Sequence, residues 1–220
     1  MKKSTQKTKL FMAMYRALLG RFGHRNWWPA STRFEVCVGA VLTQNTAWKN
    51  VVKAIDNLKA AAALDAHAIH RLPLDELAGL IRPAGYFNVK ARRLRNFVDH
   101  LVQRHGGDLT SLFASPVDAL REELLSINGV GKETADSIVL YAAEKPIFVV
   151  DAYTRRVLHR HGIIEEKTDY DTIQRLFHAN LPADLELFND FHAQFVAVGH
   201  HFCRRKPHCQ GCPLEPFLPK

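Results

Sequence analysis

The chain of 220 residues is poor in cysteine, with 4 in all, and three of these (Cys203, Cys209, Cys212) crowd near the C-terminus while Cys37 stands alone. That excludes a disulfide framework, which needs cysteines paired along the length of a chain. Glycine (12) and proline (10) are too sparse for a collagenous or low-complexity sequence, and no internal repeat suggests a solenoid. No apolar run approaches the roughly eighteen residues of a membrane-spanning helix. The basic start MKKSTQKTKLFMAMYRALLG has the opening of a signal peptide. Arg16 interrupts its apolar stretch, however, and no small-residue cleavage site follows, so an amphipathic helix of a soluble, cytoplasmic protein is expected. Extended structure is also scarce. Ile147-Phe148-Val149-Val150 is the one convincing run, and one run makes no sheet.

The composition that remains suits a folded core: 47% of residues are hydrophobic and 24% charged. The excess is basic, 30 Lys+Arg against 22 Asp+Glu for a net charge of +8, with clusters at 90–95 (KARRLR), 155–156 and 204–206. A polyanion partner fits such clusters, although each alone could be a solvated helix face. Apolar spacing is helical nearly throughout. Phe34, Cys37, Val38, Val41 and Leu42 recur at i, i+3, i+4, i+7 and i+8 behind Ser31, a candidate N-cap. Trp48 to Leu58 and Leu94 to Val102 repeat the pattern. Pro116 opens a helix with Leu120, Leu124 and Leu125 inside, and further helices are expected from near Asp151 and around 169–179 and 186–200. The fold class is all-α, and Cys37 is a core residue.

The segment 124–141, LLSINGVGKETADSIVLY, carries the most chemistry. An apolar helix end, Asn128-Gly129-Val130-Gly131 and a new helix from Lys132 put glycine backbone beside a helix N-terminus. Glycines let amides approach another surface closely, and the helix end adds N–H donors and a positive dipole. Such a turn can hold a phosphate without reading sequence, or it can be a plain helix–helix turn.

This segment resembles the helix-hairpin-helix of the endonuclease III superfamily of DNA glycosylases. So do Pro146 to Asp151 with the following Ala152-Tyr153-Thr154-Arg155-Arg156, Gly39 to Thr46 (GAVLTQNT) and Gly85 to Ala91 (GYFNVKA). The likeness spans most of residues 30–212. It implies a two-lobed helix-hairpin-helix DNA glycosylase fold. A six-helix central domain would occupy 35–147, with the hairpin at 124–141. Residues 1–34 and 148–220 would form the second lobe, ending in a cysteine loop at 203–212. The implied partner is double-stranded DNA with a damaged base flipped out of the stack, because the bond to be cut is inaccessible in a stacked duplex.

Asp151 matches the family's catalytic carboxylate, which stabilises the positive charge that builds on the sugar as the N-glycosidic bond breaks and can orient the attacking water. By its sequence context alone it could equally be an N-cap. Bifunctional members carry a lysine two residues after the second hairpin glycine; here that position is Glu133, and a carboxylate cannot form an imine. Lys132 is one helical step, about 100°, away. The expectation is a monofunctional enzyme. Trp27-Trp28-Pro29, GAVLTQNTAW (39–48), RPAGYFN (82–88) and GKETAD (131–136) are most similar to the 3-methyladenine glycosylases of this type. The resemblance implies that Trp28 and Trp48 sandwich the base and that Pro29 and Glu133 line its pocket; a cationic methylated purine suits aromatic faces. It also implies DNA contacts from Gln44, which would enter the gap left by the base, from Asn128, Gly129, Val130, Gly131, Lys132 and Thr134, and from Arg204, Arg205 and Lys206. Lys90, Arg92 and Arg93 are either phosphate contacts or solvated side chains.

Cys203-x5-Cys209-x2-Cys212 resembles the superfamily's iron–sulfur loop, with two departures. The first spacing is one residue short, and the fourth cysteine would fall near Leu218. Cys203, Cys209 and Cys212 could therefore hold a [4Fe-4S] cluster completed by a histidine, or zinc together with His200, or no metal. The expected function is hydrolytic removal of an alkylated purine such as 3-methyladenine by a monomeric base-excision repair glycosylase. The alternatives are a glycosylase/lyase for oxidised or mismatched pyrimidines and a non-catalytic DNA-binding relative.

Overall fold

The computed structural model describes residues 2–219, with side chains from residue 6 onward. No strand occurs among the described residues. In chain order the helices are α1 (Lys2–Phe22), α2 (Arg33–Leu42), α3 (Trp48–Ala60), α4 (Ala66–Arg71), α5 (Leu74–Leu80), α6 (Phe87–His105), α7 (Leu109–Phe113) and α8 (Val117–Ser126). They continue with α9 (Lys132–Ser137), which runs on as a π turn over Ile138–Ala142, then α10 (Ala152–Arg160), α11 (Tyr170–His178) and α12 (Leu185–His201). No helix of the described residues is long and apolar enough to cross a membrane. Two compact units emerge, Trp28–Lys145 and Met1–Trp27 with Pro146–Lys220.

The unit Trp28–Lys145 is organised around α2, which is buried from Glu35 to Leu42 and packs on α3, α6 and α9. Its N-cap is Thr32, not Ser31. The extended backbone of Thr32 (φ −141°, ψ 157°) aims its hydroxyl at the Glu35 N–H, while the Ser31 N–H is donated to Glu35 Oε2 at 3.1 Å. Cys37 is fully buried as expected, and burial pushes its thiol pKa far up. Pro73 ends the chain's run through α4 and restarts it as α5. Lys90 departs from both of its expected roles. It is 1% exposed, and its Nζ donates at 2.8 Å to Leu42 O, the last carbonyl of α2, and at 2.8 Å to Ala84 O. A helix C-terminus attracts a cation, so this lysine serves as an internal cap. Burial, helped by Arg93, lowers its pKa to about 8.

The other unit is held by phenylalanines. Phe148 stacks on Phe177 with ring centres 3.6 Å apart, Phe177 stacks on Phe11 of α1, and Phe191 stacks on Phe195 within α12. Asp190, fully buried, accepts from the Arg25 N–H (2.7 Å), Tyr15 Oη (3.1 Å) and Gln194 Nε2 (3.1 Å), which fastens α1 and the segment after it to α12. Burial beside that carboxylate pushes the Tyr15 pKa up to about 12. The extended run 147–150 is buried without becoming a strand because side chains satisfy its backbone. The Phe148 N–H donates to His178 Nε2, Gln174 Nε2 donates to Phe148 O, and the Val150 N–H donates to the Tyr170 hydroxyl.

Candidate active site

The anchored run 147–150 delivers Asp151 to the start of α10. Asp151 is an N-cap, its Oδ1 accepting the Thr154 N–H at 2.7 Å. It is also more than a cap. Its Oδ2 lies 3.6 Å from His192 Nε2 of α12, with the two side chains 11% and 6% exposed. Burial works to raise the carboxyl pKa, but His192 and the Thr154 N–H outweigh it, and the group stays below the ordinary carboxylate range. An ionised, nearly buried carboxylate results. The sequence reading missed His192. The available signal was the set of polar residues Asp190, His192 and Gln194 set into an otherwise apolar stretch of α12.

The role of His192 gives a pH prediction. Asp151 is needed ionised, and its folded pKa is depressed, so activity from this group is lost only as pH falls through that low value. His192→Phe removes one of the groups that depress it, so the acid limb of single-turnover base release is expected to move to higher pH. An unchanged acid limb would remove His192 from the site.

The hairpin between α8 and α9 is built from within. Gly129 has φ +96°, and a Cβ there would lie 2.3 Å from Arg93 Cγ, so glycine is required twice over. Val130 is buried and pins the turn, its N–H closing onto Ile127 O at 3.0 Å. The carbonyls of Asn128 and Gly129 are tied back by Asn96 Nδ2 (2.9 Å) and Gln44 Nε2 (3.2 Å). Asn128, Gly131, Lys132 and Glu133 are exposed. The side chains of Val130 and Thr134 lie inside, both 5% exposed, where an apolar anchor and a hydroxyl hold the turn. Thr134 Oγ1 accepts from Gln44 Nε2 at 2.9 Å, and Arg93 donates to Gln44 Oε1. In this structure Gln44 braces the hairpin.

Gly131 is different. Its φ is −92° and a Cβ would meet nothing within 4 Å, so nothing inside the unit demands glycine. Glycine there leaves the exposed backbone of the turn open to close approach from outside. Gly131→Ala is expected to cost about 1 kcal/mol or less of stability, since alanine is only a poorer N-cap. Duplex affinity should fall about tenfold, with fluorescence anisotropy as the measure. Unchanged affinity would remove the hairpin from DNA binding.

In the same unit, a pocket of about 370 Å³ is lined by Trp28, Pro29, Glu35, Trp48, Asp56 and Lys59 among others. Trp28 lies against α2, where a Cβ on Gly39 would touch its indole at 3.3 Å. Trp28 and Trp48 meet at 89° with centres 5.1 Å apart, the edge-to-face contact favoured by aromatic quadrupoles, and Tyr141 packs on Trp28 at 5.2 Å. Glu35 is paired with Lys59 at 2.8 Å on the pocket's polar side. Glu133 lines neither this pocket nor the cysteine pocket.

Cys203, Cys209 and Cys212 line a second pocket of about 270 Å³, walled by Val157, Val198, Phe202 and Leu214. Leu218, at the position of the missing cysteine, lines it too. The loop is strapped to α10: Arg156 Nε donates to Cys203 O (2.6 Å), and Arg160 donates to Cys203 Sγ (3.2 Å), Arg204 O (2.7 Å) and Arg205 O (3.0 Å). Burial, with Cys209 and Cys203 nearby, raises the Cys212 thiol pKa. Arg204, Arg205 and Lys206 are exposed, with Arg204 Nε donating to His200 O at 2.7 Å. Zinc, bound to sulfur at about 2.3 Å, would draw its donors within about 4.6 Å of each other. The three sulfurs do not meet within 4.8 Å, with or without a histidine. Three thiol donors therefore line this pocket without the mutual approach that a single zinc ion imposes.

The model of the HhH-GPD superfamily base excision DNA repair proteins matches residues 38–183, a span that takes in Trp48, the hairpin and Asp151. The chain belongs to the HhH-GPD superfamily of base excision DNA repair proteins. It is 50% identical over 213 residues to a protein of Methanocaldococcus jannaschii named as a candidate DNA repair glycosylase, covering 96% of each chain. Among solved structures, an H. pylori 3-methyladenine DNA glycosylase bound to 1,N6-ethenoadenine is similar at 28% identity and a TM-score of 0.74, covering 88% of this chain and 97% of that one. A non-covalent endonuclease III–DNA complex matches at a TM-score of 0.82 and 23% identity over 96% and 94% of the two chains, which shows the common all-α fold. This HhH-GPD chain is thus a DNA repair glycosylase. Trp28, His192 and the cysteine loop lie outside the matched span, so their roles rest on the geometry above.

Proposed function

We propose that this HhH-GPD glycosylase hydrolyses the N-glycosidic bond of an alkylated purine, of the 3-methyladenine class, in double-stranded DNA and leaves the strand uncut. The observation that carries this is Asp151, an ionised carboxylate held nearly buried between the Thr154 N–H and His192. Bond breaking leaves an oxocarbenium-like sugar, and a fixed anion stabilises that state more than the neutral ground state. The same carboxylate can accept the proton of the attacking water. An alkylated purine is cationic, so it departs without a strong acid, and the aromatic wall of Trp28 and Trp48 suits an electron-poor ring. Glu133, at the position of the lyase lysine, offers no amine for an imine. The H. pylori neighbour's named substrate supports the same class.

Cys203, Cys209 and Cys212 would hold three corners of a [4Fe-4S] cluster, with the fourth filled by a ligand other than cysteine. Such a cluster supplies redox chemistry and a rigid brace for the 203–212 loop. Arg156 and Arg160 hold that loop to α10 in either case. The exposed hairpin backbone and the basic loop residues 204–206 supply phosphate contacts.

The test is base release from methylated, oxidised and mismatched duplexes assayed side by side, each followed by borohydride trapping. Release from the methylated duplex without a trapped adduct is the expected pattern. Preferential release of an oxidised or mismatched pyrimidine, or an efficient adduct, overturns it.

A further inference from the structure

On the helices that flank the hairpin, three side chains of the Trp28–Lys145 unit converge on one point. Glu123 Oε1, from α8, lies 2.9 Å from His100 Nε2 and 2.7 Å from His105 Nε2, both from α6. Among the described residues this is the one group of three or more His, Cys, Asp or Glu whose ligand atoms all lie within 4.8 Å of each other. The side chains are 17%, 13% and 24% exposed for His100, His105 and Glu123. The site is therefore sheltered but reachable.

The arrangement has the chemistry of a metal centre. His105 Nδ1 is 3.0 Å from Ser111 Oγ of α7, a hydroxyl able to accept the Nδ1 proton. With Nδ1 protonated, the Nε2 lone pair faces the carboxylate oxygen, the orientation in which both atoms can serve as ligands of one ion. An acceptor on the far ring nitrogen is what orients metal-binding histidines. Both histidines also lie toward the C-terminal end of α6, where the helix dipole favours positive charge. Zinc binds imidazole nitrogen and carboxylate oxygen at about 2.0–2.2 Å, which sets tetrahedral donors roughly 3.3 Å apart. Small outward shifts of these side chains from 2.7 and 2.9 Å would admit the ion.

We propose that His100, His105 and Glu123 bind one divalent transition-metal ion of the zinc class, with water completing its coordination. The imidazoles select such an ion over magnesium or calcium. Its effect is a clasp. The ion ties the end of α6 to α8, and α8 leads directly into the hairpin turn. Arg121 of α8 already grips the buried Asp136 of α9 through two hydrogen bonds, 2.6 and 3.2 Å, so bracing α8 braces both arms of the hairpin.

Cobalt(II) is the probe, because its spectrum reports its donors. Titrated anaerobically into the full-length protein, it is expected to show weak d–d bands without the strong near-ultraviolet band of a thiolate ligand, at one equivalent beyond any bound by the cysteine loop. Replacing Cys209 and Cys212 by serine should leave this signal in place. Zinc should raise the melting temperature of that serine variant. Glu123→Gln and His105→Ala, each checked for native helical circular dichroism, should weaken cobalt binding about tenfold or more. Absence of a sulfur-free cobalt spectrum in the serine variant overturns the proposal. So does unchanged binding in both ligand variants. A folded Glu123→Gln protein is the decisive sample, because glutamine retains the shape of glutamate and can still accept a hydrogen bond.

Discussion

Asp151→Asn is expected to lower single-turnover base release by about a thousandfold, equivalent to about 4 kcal/mol of transition-state stabilisation, with duplex affinity nearly unchanged. The substitution suits the geometry. Asparagine is as good an N-cap as aspartate, and its side-chain oxygen can keep the Thr154 N–H bond of 2.7 Å. The charge opposite His192 disappears while the cap stays. Asp151→Ala would remove both, and a loss of activity would then mix chemistry with the fraying of α10. A quench-flow measurement of free base, beside an anisotropy measurement of DNA binding, separates the two contributions. Base release at the wild-type rate in a folded Asp151→Asn protein would mean that the carboxylate serves only as a cap. The activity would then belong to another group.

The second large effect is all-or-none. With an abasic duplex and borohydride, the wild-type protein is expected to form no covalent adduct, because imine formation needs an amine and Glu133 has none. Lys132 is exposed and adjacent, but one step along a helix turns a side chain by about 100°. Glu133→Lys puts an amine at the position used by bifunctional relatives and is expected to create a trappable adduct. That position is exposed, at the second residue of α9, so the variant should fold normally. A wild-type adduct that vanishes in Lys132→Ala would assign lyase chemistry to Lys132 and end the monofunctional reading.

These experiments act on residues that were legible in different degrees. The helices were visible because burying one face of a helix imposes a period, and the hairpin because its turn needs glycine at a positive φ. Asp151 was visible through the resemblance of Pro146 to Arg156 to the family's segment, since its sequence context alone fits an N-cap as well. Its partner was not, since His192 lies on α12 and only folding brings it to 3.6 Å. Lys90 shows the same limit in reverse. In the run KARRLR it looks like surface charge, yet it is the residue of that run turned inward to cap α2.

The sequence by itself determined the all-α class, the hairpin and the absence of an amine at position 133. Each is a local property, set by residue type and spacing along the chain. Tertiary structure alone decided that Trp28 and Trp48 meet edge to face, that Gln44 and Thr134 hold the hairpin from within, and that three cysteine sulfurs share a pocket without converging on one ion. It also decided that His100, His105 and Glu123 come together, although each by itself reads as an ordinary helix-surface residue. The physical reason is common to all of these. Side-chain direction at a site depends on how helices far apart in sequence pack, and packing is settled by burial summed over a whole unit.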